Sequence, residues 1–213
     1  MPVIKDLIWD LDGTLFDTYP AILRAFQIVF GQYGVLLPDE RVLSLARVSF
    51  RHCASVIAEE RQLDLSQLME RFGRVYHDLP LTMQPPFPGA EELCRWALAC
   101  GGKNVIVTHR GEATSLRLLD TFGMRNLFAG WVTGDMGYAR KPDPQSFLAA
   151  IDRFGLRPEV SLALGDRDLD LQAAQAAGVR YTCAYGAGPF SVAADYALSD
   201  FHALLILLKE NAR

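Results

Sequence analysis

The strongest constraint on the fold lies in the second half of the chain, where short apolar runs alternate with helical stretches of roughly ten residues. Beyond Pro88 the sequence predicts helices over Gly89–Ala99, Glu112–Phe122, Pro144–Phe154 and Leu169–Ala177. Gly123, Gly155 and Gly178 stand where three of them should stop. Between them lie β-prone segments, Lys103–Val107, Trp131–Thr133, Val160–Leu164 and Val179–Ala184, and a last apolar helix is expected over Phe201–Lys209. That alternation builds right-handed βαβ units and a Rossmann-like parallel sheet covered on both faces, an α/β fold. Ligands in such sheets bind at the carboxyl ends of the strands, so the residues that follow each strand are the ones to read for chemistry.

The first strand ends most abruptly. Leu7, Ile8 and Trp9 run straight into Asp10 and Asp12, followed by Gly13 and Thr14. Residues two apart on a strand point the same way, so both carboxylates share a face if the extended conformation persists, and Gly13 lets the chain turn away. At about 4 Å two such charges repel by about 4 kcal/mol at an effective dielectric near 20. The site therefore needs a cation, a shared proton or a basic partner.

Between this strand and the alternating region the pattern is helical only. Ile22, Ala25, Phe26, Val29 and Phe30 fall on one face of a helix over Ala21–Tyr33, with Gly34 as its stop. A second helix is expected to begin near Pro38, a third to span Phe50–Glu60, and a fourth to start at Ser66 as N-cap. Pro80, Pro85, Pro86 and Pro88 then close the region, since prolines so dense cannot lie inside a helix. Residues 17–82 are thus expected to form a small helical bundle inserted after the first strand, with 1–16 and 83–213 forming the core. The proline-rich joints at either end predict a directed hinge.

Three strand ends and one loop carry matching chemistry. Asp10 can act as a nucleophile toward phosphorus, and Asp12 can protonate the leaving alkoxide and then activate water. Thr108 follows the second strand, just before a helix whose N-terminus would help it hold phosphate oxygens. Lys141, in a loop stiffened by Pro142 and Pro144, can offset charge on a transferring group and restrain Asp10. Asp166, Asp168 and Asp170 follow the fourth strand; with Asp10 they make an oxygen-only set that suits Mg²⁺. Asp168 is open between two roles, a place near the metal or a helix cap.

Composition excludes other classes. A formal charge of -4 offers no general attraction for nucleic acid or an anionic membrane but leaves room for a local basic pocket; with the phosphate-handling strand ends, a small phosphorylated metabolite is the expected partner. The N-terminus carries no basic segment leading into an apolar run, which gives a cytoplasmic expectation. Cys53, Cys94, Cys100 and Cys183 lack any metal-ligand spacing and read as small buried hydrophobes of a reducing compartment. The expected assembly is a monomer or a homodimer.

Taken together, Asp10-Leu11-Asp12-Gly13-Thr14 with Leu15-Phe16-Asp17-Thr18 after it, Thr108, Lys141-Pro142, and Gly165-Asp166 with Asp170 resemble the four motifs of the haloacid dehalogenase-like superfamily. The resemblance is to its phosphatases of the phosphoglycolate phosphatase type with a small helical cap, and covers nearly the whole chain. It implies that Asp10 becomes phosphorylated and Asp12 is the acid/base. It also implies that Mg²⁺ is held by Asp10, the Asp12 backbone carbonyl and Asp166, with Asp170 nearby. Asp12 sets the chain apart from the dehalogenases, which lack that second aspartate. Phosphomutase relatives carry a histidine early in the first cap helix, where this chain has Ile22. Where many relatives have Asn after the threonine, this chain has His109 and Arg110, expected with Thr14 to contact substrate and to add a positive charge for a second anionic group. In the helical insert, Arg47 and Arg51, flanking Ser49 and Phe50, are expected to reach the non-phosphate end of the substrate.

Overall fold

A computed structural model describes residues 4–186 and 188–211. The chain forms two compact units, Met1–Asp17 with Pro86–Arg213, and Thr18–Pro85.

The first unit is a six-stranded sheet in the order β3-β2-β1-β4-β5-β6, parallel throughout. Its strands are β1 (Asp6–Trp9), β2 (Asn104–Val107), β3 (Gly130–Val132), β4 (Ser161–Gly165), β5 (Tyr181–Tyr185) and β6 (Tyr196–Leu198). The chain lays down β1, β2 and β3 in one direction and then returns to add β4, β5 and β6 on the other side of β1. The reversal opens a crevice at the carboxyl ends of β1 and β4. Every residue of β1, β2, β4 and β5 is buried, as expected of parallel strands covered on both faces.

Alternation along β1 assigns the two faces. Ile8, with Val105, Val107 and Ala163 of its neighbours, packs on Phe147, Ala150, Ala173 and Ala174. These come from α7 (Gln145–Phe154) and α8 (Asp168–Ala176). Trp9 points the other way, edge-on to Phe201 of α9 (Phe201–Asn211), and donates its indole N–H to Asn104 Oδ1 at 3.3 Å. Buried Asn104 in turn donates to the carbonyls of Cys94 and Leu127, so no polar atom of this side chain is wasted. Cys94 belongs to α5 (Ala90–Ala99), and α6 (Glu112–Thr121) completes the unit.

The second unit is a bundle of α1 (Tyr19–Gln32), α2 (Asp39–Val48), α3 (Phe50–Arg61) and α4 (Leu65–Asp78). The face read from Ile22 to Phe30 is its core, with Phe26 stacked on Phe30 at 5.2 Å and on Phe72 at 4.2 Å. Here one expectation is corrected. Asp64, not Ser66, caps α4: its carboxylate accepts the Gln67 N–H at 2.8 Å, and an acceptor placed earlier captures the first free donors of the helix. A second correction concerns β6, which the sequence did not announce. Its three residues are no fewer than those of β3, but they are half-exposed to exposed, so they lack the buried apolar run that marks β3.

Candidate active site

β1 stops at Trp9, and the Asp10 N–H still donates to Leu164 O of β4 at 2.9 Å, which pins Asp10 at the crevice. The extended conformation goes no further. Gly13, at φ 82, turns the chain, and its N–H and that of Phe16 close a tight loop on Phe16 O and Leu11 O. The two aspartates consequently find different partners, and the repulsion anticipated between them is answered by a separate cation for each.

Asp10 faces Lys141, whose Nζ donates to Asp10 Oδ1 at 2.6 Å, to Asp170 Oδ1 at 2.5 Å and to Val107 O at 2.9 Å. All three donors of the ammonium are used, and the side chain is fully buried. Burial opposes its charge, but Asp10 and Asp170 outweigh burial and raise the Lys141 pKa, so the lysine stays protonated. Burial also pushes the Asp10 carboxyl up to about 7, with Lys141 working against it and Asp170 adding to it.

Asp12 turns to Arg110. The guanidinium Nη2 lies 2.7 Å from Asp12 Oδ1 and Nε lies 3.2 and 3.3 Å from the two oxygens, a side-on pairing of high geometric specificity. The Arg110 backbone N–H donates to Thr108 Oγ1 at 3.1 Å, leaving the threonine hydroxyl proton to be directed elsewhere. Thr108 is held at its strand end by its own N–H on Val132 O. The expected role of the following helix N-terminus is weakened, because the Glu112 N–H that opens α6 already donates to Asp135. Thr14 is completely buried, and its hydroxyl meets no hydrogen-bond partner among the described residues.

The acidic side is completed by Asp166 at the end of β4 and Asp170 in the first turn of α8. One oxygen from each of Asp10, Asp166 and Asp170 lies within 4.8 Å of the others, and all three residues are buried. Gly165 makes this possible: a Cβ there would stand 2.3 Å from the Asp170 Cβ. Among the described residues, Oδ2 of Asp10 and Oδ2 of Asp170 have no hydrogen-bond donor although both are buried. Buried acceptors without donors, in an all-oxygen set of this span, fit a hard divalent cation. Arg167 stands beside them, its Nε 3.6 Å from both Asp166 Oδ1 and Asp170 Oδ2.

The remaining residues have other placements. Asp168 reaches neither the metal-ligand group nor the cap of α8, whose N-cap is Arg167; it accepts the N–H groups of Ser191 and Val192 and the Ser191 hydroxyl, tying down the segment after β5. His109 Nε2 accepts the Lys141 backbone N–H at 2.8 Å, and so helps seat the lysine loop. Burial first, then the charges of Lys141, Arg140 and Arg167, bring its pKa down to about 3. The positive charge expected of His109 is therefore absent at neutral pH. In the helical unit, Ser49 caps α3 by accepting the His52 N–H, and Phe50 packs against Phe72 and Tyr76. Arg47 lies over the Tyr19 ring at 4.5 Å, and Arg51 is exposed in the first turn of α3. Arg140 and Arg167, each adjacent to a motif residue, went unassigned in the sequence; their position beside Lys141 and Asp166 was the available signal.

A family model described as haloacid dehalogenase-like hydrolase matches residues 7–184. The chain belongs to that family. A phosphoglycolate phosphatase of Nitrosospira multiformis is 32% identical over 187 residues, covering 84% of this chain and 82% of the relative. A fructose-1-phosphate phosphatase of Escherichia coli is 29% identical over 177 residues, 81% and 92% of the two chains. Among solved structures, a Thermotoga maritima chain provisionally assigned as a β-phosphoglucomutase superposes with a TM-score of 0.81 at 22% identity, over 97% of this chain and 99% of that one, a likeness in fold. The haloacid dehalogenase-like architecture read from the motifs is thus established. No helix among the described residues is long and apolar enough to cross a membrane.

Proposed function

We propose that this hydrolase is a Mg²⁺-dependent cytoplasmic phosphatase of small phosphorylated metabolites, of the phosphoglycolate or sugar phosphate type, working through an aspartyl-phosphate on Asp10. The observation that carries the reading is the contact of one buried ammonium, Lys141 Nζ, with Asp10 and Asp170 at the carboxyl end of the central strand. A carboxylate fixed in this way, with a second oxygen unclaimed by protein, is a pre-positioned nucleophile. A carboxylate oxygen of Asp10 forms a bond to phosphorus as the ester P–O bond breaks, and Asp12 delivers a proton to the departing alkoxide. Asp12 then takes a proton from water, which attacks the aspartyl-phosphate, releases inorganic phosphate and restores Asp10. Lys141 stays charged throughout and stabilises the anionic oxygens. The Thr108 hydroxyl, whose oxygen accepts the Arg110 N–H, would donate to one of them.

Asp10, Asp166 and Asp170 would hold the Mg²⁺, and when bound the ion supplies positive charge against the phosphoryl oxygens and the crowded carboxylates. The names of the curated relatives, both phosphatases, support the same reaction type. A phosphomutase reading finds less support, because Ile22, at the position where phosphomutases carry a histidine, is fully buried in the core of the helical unit.

The test is acid-quenched turnover with phosphate-labelled substrate. The native protein with Mg²⁺ should release phosphate and yield acid-stable labelled protein; Asp10→Asn should do neither while remaining folded by circular dichroism. Full activity of Asp10→Asn would overturn the assignment.

A further inference from the structure

Arg140 and His109 meet in an arrangement that the phosphoryl chemistry leaves unused. Arg140 Nη2 lies 3.0 Å from His109 Nδ1. The other ring nitrogen, Nε2, faces the Lys141 backbone N–H, which can only donate, so Nε2 is the acceptor and a neutral ring carries its proton on Nδ1. The 3.0 Å approach is therefore between two N–H donors, neither of which has a side-chain acceptor among the described residues. Among the described residues Arg140 makes no ion pair with any carboxylate. A second guanidinium is close enough for its charge to be felt at both groups: Arg167 lowers the pKa of Arg140, after burial, and contributes to lowering that of His109. The Arg140 guanidinium and a ring N–H thus face each other beside the lysine loop and the second strand end, with the charge of Arg167, itself beside Asp166 and Asp170, felt at both. Like-charged groups and facing donors converge favourably only around an anion, which each of them can hydrogen-bond.

We propose that Arg140 and the Nδ1–H of His109 form a binding site for an oxyanion, separate from the phosphoryl site around Asp10 and Lys141. Chain connectivity places it at the rim of that site, since Arg140 precedes Lys141 and His109 follows Thr108. The planar fork of Arg140 with one ring N–H suits a carboxylate or phosphate rather than a sugar hydroxyl. Two sources share this chemistry: a second acidic group on the substrate, which rests on the phosphatase reading, and a free anion such as inorganic phosphate. The first source would separate an acid-bearing ester of the phosphoglycolate kind from a neutral sugar phosphate.

Calorimetric titration of the Asp10→Asn protein with Mg²⁺ separates them. The probes are phosphoglycolate, hydroxyethyl phosphate, which replaces the carboxylate by a neutral hydroxymethyl group, and inorganic phosphate. If the anion is part of the substrate, phosphoglycolate binds at least about tenfold tighter than hydroxyethyl phosphate. That ratio then shrinks toward unity in Arg140→Ala and in Arg140→Gln, and is partly kept in Arg140→Lys. If the anion is free, inorganic phosphate binds twice per chain, and once after Arg140→Ala. A single phosphate with an affinity ratio near unity in the parent, or values that Arg140→Ala does not change, would overturn the site. Circular dichroism confirms that the variants are folded. The phosphatase reading fails separately, if protein with Asp10 intact releases no phosphate from either ester in Mg²⁺.

Discussion

Arg110 grips both carboxylate oxygens of Asp12, from a side chain that is itself 8% exposed. A general acid/base, the role proposed for Asp12, must keep its orientation between its two tasks, and this pairing fixes the plane of the Asp12 carboxylate. Arg110→Ala should therefore damage proton delivery more than nucleophilic attack. Proton delivery matters most when the leaving group is a poor one. On an alkyl phosphate kcat/KM should fall about 10²-fold, whereas on an aryl phosphate, whose phenolate leaves with little help, the loss should stay below about tenfold. Equal losses on the two esters would show that Arg110 does not act through Asp12.

Lys141 offers a stability test. Its Nζ compensates two carboxylates at once, Asp10 and Asp170, all three residues being buried. Removing one partner of a buried ionic group leaves charge without compensation, a loss of ~3–5 kcal/mol in comparable cases. Lys141→Met, which keeps length and removes charge, should lower unfolding stability by that order in chelator, as read from denaturant titration. Added Mg²⁺ should restore part of it, because a divalent cation can take over the neutralisation of Asp10 and Asp170. Unchanged stability in chelator would show that the Lys141 ammonium does not offset the charge of Asp10 and Asp170.

Much of this was legible in the sequence, for identifiable reasons. Periodicity exposes elements whose burial is one-sided or complete, so the helices and the first five β segments emerged within a few residues of their observed ends, whereas β6, no shorter than β3 but half-exposed at the sheet margin, did not. The strand-end residues Asp10, Thr108 and Asp166 could be found because a parallel sheet turns an apolar run into a pointer at its carboxyl end. Partnership was harder to read. Nothing local to Asp12 says that its cation is Arg110, 98 residues away, nor does the sequence near His109 say that its ring seats a backbone N–H 32 residues on. Such pairings are set by which loops the sheet order brings side by side. Asp168 illustrates the reverse case: its neighbours in sequence suggested metal or cap, and its real partners lie on the segment after β5.

Metal binding should release a proton, and the pH range follows from Asp10. Its carboxyl, raised by burial to about 7, holds a proton over much of the range below that value. Coordination requires the carboxylate. Below pH about 7 each pH unit should therefore weaken the apparent Mg²⁺ affinity by about tenfold, with close to one proton released per ion bound, and both effects should vanish well above it. Calorimetric titrations in buffers of different ionisation enthalpy read the proton count directly. A count near zero at pH 6 would mean that Asp10 is already ionised in the metal-free protein.

His109 makes an independent prediction about pH and folding. In the native protein its pKa is near 3, against an ordinary value of 6.5, because burial and three neighbouring cations oppose its protonation. Between those values the unfolded chain binds the proton and the native chain does not, so protonation favours unfolding, and stability is lost as the pH falls from about 6.5 toward 3. Carboxylates contribute their own acid sensitivity, so the informative quantity is a difference between variants. His109→Asn removes the titrating ring while leaving an amide that can accept a hydrogen bond. The Tm of the native protein should therefore fall more steeply than that of His109→Asn between pH 6.5 and 4.5, with the two curves running parallel above pH 7. Parallel curves across the whole range would place a protonated imidazole in the native state, and would remove both the acceptor role of Nε2 toward Lys141 and the tautomer that directs Nδ1–H toward Arg140.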